Sequence, residues 1–194
     1  MWQMYSFSLL VKSSIIISGG VGKSTYVSKP KFTLPSDRHL NVADLGNTIY
    51  TLEVIADSKA ILLPPLHNKN DCHTMVITNN NEVMILGGHQ GDGKQCYKLE
   101  NGTWKVQNPL LRPRRRALGI TMADGIYCFG SDWSPYTSDF LPNGQSEWQE
   151  GPTVPEPDIS SGHGVAISPT ELILLGSNCS ICKYCPIIVV PLPH

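Results

Sequence analysis

The sequence predicts an all-β protein built from about four copies of one small antiparallel unit. Three observations predict this fold class. The chain of 194 residues contains 17 glycines and 15 prolines. Most segments that would otherwise suit a helix contain a glycine or a proline. Glycines and tryptophans recur at a nearly constant spacing, and short apolar segments lie between them. A chain of this length is sufficient for one domain with a substantial core.

A period of about 44 residues relates the landmark residues of the chain. The glycine that follows an apolar segment is Gly87, then Gly130, then Gly176, at spacings of 43 and 46 residues. The tryptophans Trp104 and Trp148 are 44 residues apart. Because two independent markers agree on one spacing, the sequence predicts a repeat architecture.

Each unit is predicted to hold short strands joined by turns. The predicted strands are 74–77, 83–86, 96–99 and 104–106 in the second unit, 118–122, 125–129, 138–141 and 147–149 in the third, and 165–167, 172–175 and 187–190 in the fourth. The segment Val83–Leu86 is apolar without alternation. Such strands are buried on both faces, which predicts small sheets that are covered by neighbouring sheets on both sides.

The N-terminal unit departs from the period. Its predicted strands are 14–17, 47–54 and 60–63, and the first 17 residues are predicted as a pair of strands rather than a signal peptide, because they lack a basic start. Gly19 lies 68 residues before Gly87, so the polar segment 21–45 is predicted to be an inserted loop. The sequence thus predicts a single domain over 1–194. Its repeats span about 6–65, 72–110, 116–152 and, in divergent form, 162–194.

These residues resemble the kelch repeat. A glycine pair follows the second strand, an aromatic residue lies in the third, and a tryptophan lies near the end of the unit; serine replaces the second glycine in the third and fourth units. The resemblance implies a β-propeller whose blades are four antiparallel strands. Kelch propellers generally have more than four blades, so we expect an incomplete propeller or an open arc. The resemblance makes the following residues structural: Gly87, Gly88, Tyr97, Trp104, Gly130, Trp148 and Gly176.

Charge and motifs weigh against several classes of function. The formal net charge of −1 does not favour binding to nucleic acid or to an anionic membrane. A phosphate-binding loop ending in Gly22-Lys23-Ser24 would need a glycine at Ile17, so nucleotide binding is not predicted. The basic segment 112–116 is predicted to form a solvated rim between the second and third units.

The sequence does not predict a metal site, a cofactor or an enzyme. Cys179, Cys182 and Cys185 have a spacing that suits thiolate ligands, but a structural zinc site needs four ligands and no fourth is in place. Disulfides or unreactive thiols are the favoured interpretation of these cysteines. The histidines and carboxylates show no spacing that is typical of catalytic groups.

We therefore expect a non-catalytic module that binds a protein partner through loops on one face of the blades. In a four-stranded antiparallel blade, the loop after strand two and the connection to the next blade emerge on the same side. Arginines and aromatics commonly anchor interfaces. The expected contact residues on these loops are His89, Gln90, Asp92, Arg112, Arg114, Arg115, Asp132, Trp133 and Tyr136.

Two alternatives to this function remain open from the sequence. The first is a secreted kelch domain that interacts with carbohydrate or extracellular partners, because the chain has six cysteines and glycosylation sequons at Asn101 and Asn178. The second is a remnant of a kelch-type oxidase. The compartment, cytoplasmic or extracellular, is left undecided by the sequence.

Overall fold

The structure is a computed structural model. It describes residues 70–89, 91–154 and 163–175, together with Leu66 and the backbone of seven strands outside these ranges. Every regular element among the described residues is a β-strand, and no α-helix occurs there. The described part of the chain accordingly has no helix that is long and apolar enough to cross a membrane. The all-β prediction is confirmed.

The described strands form four antiparallel sheets, each of which follows the chain order, and one separate hairpin. The first sheet contains β1 (Phe7–Val11), β2 (Ser14–Ser18), β5 (Ile49–Glu53) and β6 (Ala60–Leu63); the second contains β7 (Thr74–Ile77), β8 (Val83–Leu86), β9 (Cys96–Glu100) and β10 (Thr103–Gln107); the third contains β11 (Leu118–Thr121), β12 (Gly125–Phe129), β13 (Ser138–Pro142) and β14 (Gln149–Glu150); and the fourth contains β15 (His163–Ser168), β16 (Glu171–Leu175) and β17 (Ile187–Pro191). The hairpin pairs β3 (Lys31–Thr33) with β4 (His39–Asn41).

Most strand predictions agree with these bounds, and two need correction. The last strand of the third unit was expected at 147–149 but lies at Gln149–Glu150. The segment 21–45 was expected to be a loop, but it contains the hairpin of β3 and β4, in which Phe32 lies opposite Leu40. Each of these strands holds one apolar residue between two polar ones. Three residues are too short a run for alternation to be recognised in a sequence.

Tight turns connect the strands where the sequence provides residues that tolerate positive φ. Asn101 and Gly102 join β9 to β10 with φ values of 48° and 73°, as a two-residue turn of the type that suits a twisted hairpin requires. Between β11 and β12, the amide of Met122 donates to the carbonyl of Gly125 over 2.8 Å. These turns place all four strands of a unit side by side.

The sheets are stacked, and their first strands lie beside one another. Strand β7 lies against β1 and β11, and β11 lies against β15. Successive residues of the second strand of a sheet point to opposite neighbours. In β12, for example, Ile126 and Cys128 pack with the second sheet, whereas Tyr127 and Phe129 pack with the fourth. This double burial explains why these strands are apolar without alternation.

Candidate partner-binding surface

Three segments meet at one edge of the second and third sheets, and we call their exposed side the loop surface. They are the β8–β9 loop (87–95), the β12–β13 loop (130–137) and the β10–β11 connection (108–117). Backbone bonds join them: the amide of Gly88 donates to the carbonyl of Arg114 over 2.9 Å, and the amide of Arg114 donates to the carbonyl of Gly93 over 2.9 Å. The amide of Asp132 donates to the carbonyl of Arg115 over 3.1 Å. The predicted convergence of these loops is therefore present in the structure.

The same side-chain anchor occurs in both units, 44 residues apart. The side-chain amide of Asn70 donates to the carbonyl of Gly87 over 2.8 Å. In the next unit, the guanidinium of Arg114 donates to the carbonyl of Gly130 over 3.1 Å. Both donors are buried, and both satisfy the carbonyl of the glycine that ends the second strand. The two residues thus occupy one structural position with different side chains.

The side chain of the residue after each anchor lies beside a polar side chain in the loop of its own unit. Asp71 Oδ1 lies 3.4 Å from His89 Nδ1, and Arg115 Nε lies 3.6 Å from Asp132 Oδ2. Asp71 and Arg115 are 44 residues apart, and each also accepts a backbone bond from its partner's amide. The sign of the pair is reversed between the units, so the contact geometry is kept while the exposed charge pattern changes.

The second residue after each anchor has a backbone conformation that residues other than glycine rarely adopt. Cys72 has a φ of 55° and Arg116 a φ of 57°, again 44 residues apart. Left-handed φ is uncommon outside glycine, asparagine and aspartate. The amide of Arg116 donates to the carbonyl of Cys72 over 2.8 Å, which links the two equivalent positions directly. These left-handed positions turn the chain into the first strand of each sheet.

Arg114 is a structural residue rather than a contact residue, which corrects the expectation from the sequence. It is completely buried. Its Nη2 lies 2.7 Å from Asp139 Oδ1 and its Nε lies 3.1 Å from Asp139 Oδ2, a two-pronged pairing. Its Nη1 also donates to the carbonyl of Thr137 over 2.9 Å. The side chain therefore closes the β12–β13 loop from inside and is not available to a partner.

Trp133 and Tyr136 are the large exposed side chains of the β12–β13 loop, at 51% and 43% exposure. The loop that carries them is held at several points. The Ser131 hydroxyl accepts the amides of Trp133, over 3.1 Å, and Ser134, over 2.8 Å. The carbonyl of Tyr136 accepts the amide of Val154 over 2.8 Å. Both aromatics are accordingly presented from a backbone with fixed hydrogen bonds.

The Trp133 ring also packs on the neighbouring segments. A Cβ atom placed on Gly93 would lie 3.1 Å from Trp133 Cζ3 and 3.4 Å from Pro113 Cβ, so the ring and the proline close over the glycine. Gly93 is buried and has a φ of 70°. One face of the indole is thus fixed by the protein, and the remainder is open to solvent.

The other expected contact residues have partners within the chain. His89 pairs with Asp71, as described above. Asp92 is exposed and accepts the Gln95 side-chain amide over 2.8 Å and the Lys94 backbone amide over 3.0 Å. Gln90 lies outside the described residues.

The charges around the arginines are balanced. Arg112 is partly exposed, pairs with Glu150 and lies 3.6 Å from Asp139 Oδ1. These two carboxylates raise the pKa of its guanidinium, with the hydrogen bond to Glu150 as the largest cause. Asp132 Oδ2 lies 3.6 Å from both Arg115 Nε and Arg116 Nη1. Positive and negative groups alternate across the loop surface, so it has no single sign of charge.

The residues expected to be structural lie in the interior where they are described. Tyr97, Trp104 and Trp148 are buried. Gly87, Gly88 and Gly130 have φ values of 65°, 119° and 59°. A Cβ atom on Gly87 would lie 2.2 Å from the Arg114 carbonyl oxygen, which only glycine avoids. Gly176 lies outside the described residues.

Three residues of this site were not identified from the sequence as functional: Asn70, Arg116 and Asp139. The 44-residue spacing between Asn70 and Arg114 is a signal that could have identified the buried anchor. Asp139 has no such signal, because its pairing with Arg114 depends on how the β12–β13 loop folds back. The sequence indicated Arg116 only as part of the basic segment 112–116.

Burial shifts the pKa of several titratable groups in the interior. Burial lowers the pKa of His73 to about 4 and raises that of Cys128 to about 12. Burial also raises the pKa of Cys96. Cys72, Cys96 and Cys128 are free thiols, and no cluster of metal-ligating side chains occurs within the described ranges. The predicted cluster Cys179, Cys182 and Cys185 lies outside them.

A second concave surface lies at the opposite edge of the second and third sheets. This groove of about 600 Å³ is lined largely by turn residues, with Trp148 among them. The Asn79 side-chain amide donates across it to Asn143 Oδ1 over 2.8 Å and to the Met122 carbonyl over 2.9 Å. Because this amide is already paired and Trp148 is buried, the groove offers a ligand less than the loop surface does.

No protein-family model matches the chain, and no curated protein matches it at a significant level. The class of the protein therefore follows from its own geometry. It is an all-β protein of stacked antiparallel sheets, four-stranded in the first three units, with a surface of convergent loops at one edge.

Proposed function

We propose that this protein is a non-catalytic interaction module of kelch type, an incomplete β-propeller that binds a protein partner through the loop surface. The exposed pair Trp133 and Tyr136 on a hydrogen-bonded loop carries this proposal. The kelch assignment is supported by the four-stranded sheets and by three kinds of contact that recur at a spacing of 44 residues. Each sheet would then be one blade.

Aromatic side chains at such positions favour binding to another protein. Tryptophan, tyrosine and arginine are the residues most often found at the energetic centres of interfaces. Trp133 and Tyr136 lie three residues apart on one loop, and Arg115 pairs with Asp132 of the same loop. The buried Arg114 fixes this loop before a partner arrives, so binding would lose less conformational entropy than it would on a mobile loop.

The charges on this surface favour orientation of the partner over bulk attraction. Arg115 and Asp132 pair with each other, and Arg112 pairs with Glu150. A surface on which positive and negative groups alternate attracts a partner only weakly at long range. At contact, it disfavours orientations that bring like charges together. The apolar contact of the two aromatics would therefore supply most of the affinity, and binding would depend only modestly on salt.

Affinity capture with matched variants tests this proposal. The Trp133→Ala/Tyr136→Ala double variant should lose a binding partner that the unaltered protein retains from extracts of its source. Val106→Ala is the control, because Val106 is 69% exposed but lies on strand β10 and not in any of the three segments of the loop surface. Unfolding curves of the three proteins should agree. Equal recovery of the partner by the double variant and the control would overturn the proposal.

A further inference from the structure

The sheets contact one another through a repeated arrangement of their first and second strands. Val76 on β7 packs in one cluster with Ile126 and Cys128 on β12 of the next sheet. One unit later, Ile120 on β11 packs against Leu172 and Leu174 on β16 of the next sheet. Val76 and Ile120 are 44 residues apart and hold the same register. Val76 lies opposite Met84, and Ile120 lies opposite Tyr127. Met84 and Tyr127 are each three residues before the glycine that follows their strand. In both of these interfaces, a residue of the first strand thus packs with the second strand of the following sheet.

The fourth sheet presents the same face to solvent. Val165 lies 45 residues after Ile120 and holds the equivalent register, opposite Ile173. Val165 is 57% exposed and the nearby Ile167 is 52% exposed, whereas Leu172 and Leu174, on the other face of this sheet, are buried. Ile173 in turn lies opposite Val189 on β17. Exposed neighbouring β-branched residues of this kind mark an interaction site.

The repeat also defines what fits on this face. In both interfaces whose side chains are described, a glycine of the following first strand makes room for the preceding sheet. A Cβ atom on Gly119 would lie 2.7 Å from Val76 Cγ1, and a Cβ atom on Gly164 would lie 2.6 Å from Leu118 Cδ2. Met75, opposite Ile85, holds this position in the second sheet, so a small residue is not obligatory there. A sheet that does have one can approach Val165 as closely as the sheets approach each other in these two interfaces.

The first sheet of the chain has such a small residue. Gly119 lies opposite Cys128, which precedes Gly130 by two residues. In the first sheet, Ser8 lies opposite Ile17, which precedes Gly19 by two residues, so the small Ser8 holds the position of Gly119. The neighbouring register partners of Ile17 and Ile15 on β5 are Tyr50 and Leu52, which extend an apolar row across this sheet.

We propose that the exposed face of the fourth sheet, centred on Val165 and Ile167, binds the first sheet of a second copy of this chain. The chain's own first sheet does not cover this face, because both residues are exposed in the folded chain. Two copies that exchange this head-to-tail contact form a closed pair with two identical interfaces. The docking continues the sheet-to-sheet interface that already recurs within the chain.

Sedimentation of the full chain tests the proposal. The unaltered protein should be a dimer, and Val165→Asp/Ile167→Asp should be a monomer with an unchanged circular dichroism spectrum. Val106→Asp is the control, because it places an aspartate at an exposed valine outside this face and should remain a dimer. A monomeric unaltered protein, or a dimer that withstands the double substitution, would overturn the proposal.

A complementation experiment separates a lost interface from a misfolded variant. Ser8→Arg should disrupt the same contact from the first sheet and also give a monomer. Mixing Ser8→Arg with Val165→Asp/Ile167→Asp should restore a dimer through one intact interface, between the unaltered fourth sheet of the first protein and the unaltered first sheet of the second. If the mixture stays monomeric, or if the fourth sheet proves to bind a different protein instead, the assignment of the second copy is wrong.

Discussion

The guanidinium of Arg114 lies inside the loop that carries the two exposed aromatics. It pairs with Asp139 through two contacts and also satisfies the carbonyls of Gly130 and Thr137. A buried charge is stabilising only when such partners are complete. At the scale of single residues, the binding surface therefore depends on a side chain that no partner can contact.

Removing this side chain should destabilise the fold more than removing a neighbouring arginine. Arg114→Met leaves Asp139 buried without its main partner and should lower the free energy of unfolding by about 3–5 kcal/mol. Arg112→Met is the control: its hydrogen-bonded partner Glu150 is exposed, and its contact with Asp139 Oδ1 is longer, at 3.6 Å against 2.7 Å for Arg114. Exposed pairs contribute about 0–1 kcal/mol. Denaturant unfolding measures both. Similar losses for the two variants would contradict the structural role of Arg114.

His73 should make stability depend on pH. Burial lowers its pKa in the fold to about 4 from the ordinary value of 6.5. Between these values the unfolded chain binds a proton that the fold does not, so stability is complete above pH 6.5 and falls as the pH falls toward 4. Relative to His73→Gln, the unaltered protein should lose up to about 3 kcal/mol across this window. Parallel stability–pH profiles for the two proteins would show that His73 does not titrate as expected.

At the scale of elements, the glycines that end the second strands are fixed by the segment that crosses them. Gly87 and Gly102 have similar φ values of 65° and 73°, but their surroundings differ. A Cβ atom on Gly87 would lie 2.2 Å from the Arg114 carbonyl oxygen, whereas nothing lies within 4 Å of one on Gly102. Comparing substitutions at Gly87 and Gly102 therefore distinguishes the cost of backbone strain from the cost of a steric collision.

Alanine at these two glycines should therefore have unequal effects. Gly102→Ala should cost only the strain of a left-handed conformation, about 1–2 kcal/mol. Gly87→Ala adds a collision with the backbone of the next connection and should cost at least about 2 kcal/mol more. Thermal and denaturant unfolding would measure the difference. Equal costs would mean that the loop and the connection separate easily, contrary to the structure.

The elements were predictable from the sequence where local pattern and repeat spacing agree. Most strands of the second and third sheets lie close to their predicted bounds because turn residues bound them, and the second strand of each sheet, β8 or β12, is buried throughout. The hairpin of β3 and β4 was missed because its strands are three residues long. The burial of Arg114 was also missed, because a basic run predicts a solvated surface unless the position of Asp139 is known.

At the scale of the whole molecule, we propose binding roles for two separate surfaces of the described sheets. One is the edge where loops converge, with Trp133 and Tyr136 on it. The other is the face of the fourth sheet, with Val165 and Ile167 on it. The first is proposed to bind a protein partner and the second another copy of the chain. Because the two surfaces are separate, substitutions in one should leave binding at the other unchanged.

Site-specific photo-crosslinking tests the central proposal, that the partner contacts the loop surface at its exposed aromatics. A benzophenone amino acid at position 136 should crosslink the captured partner, and the same group at position 106 should not. The crosslink at position 136 should weaken when Trp133→Ala is added, because the two side chains share one contact area. Crosslinking of the partner at position 106 with equal yield, or retained capture without any crosslink at position 136, would contradict the account.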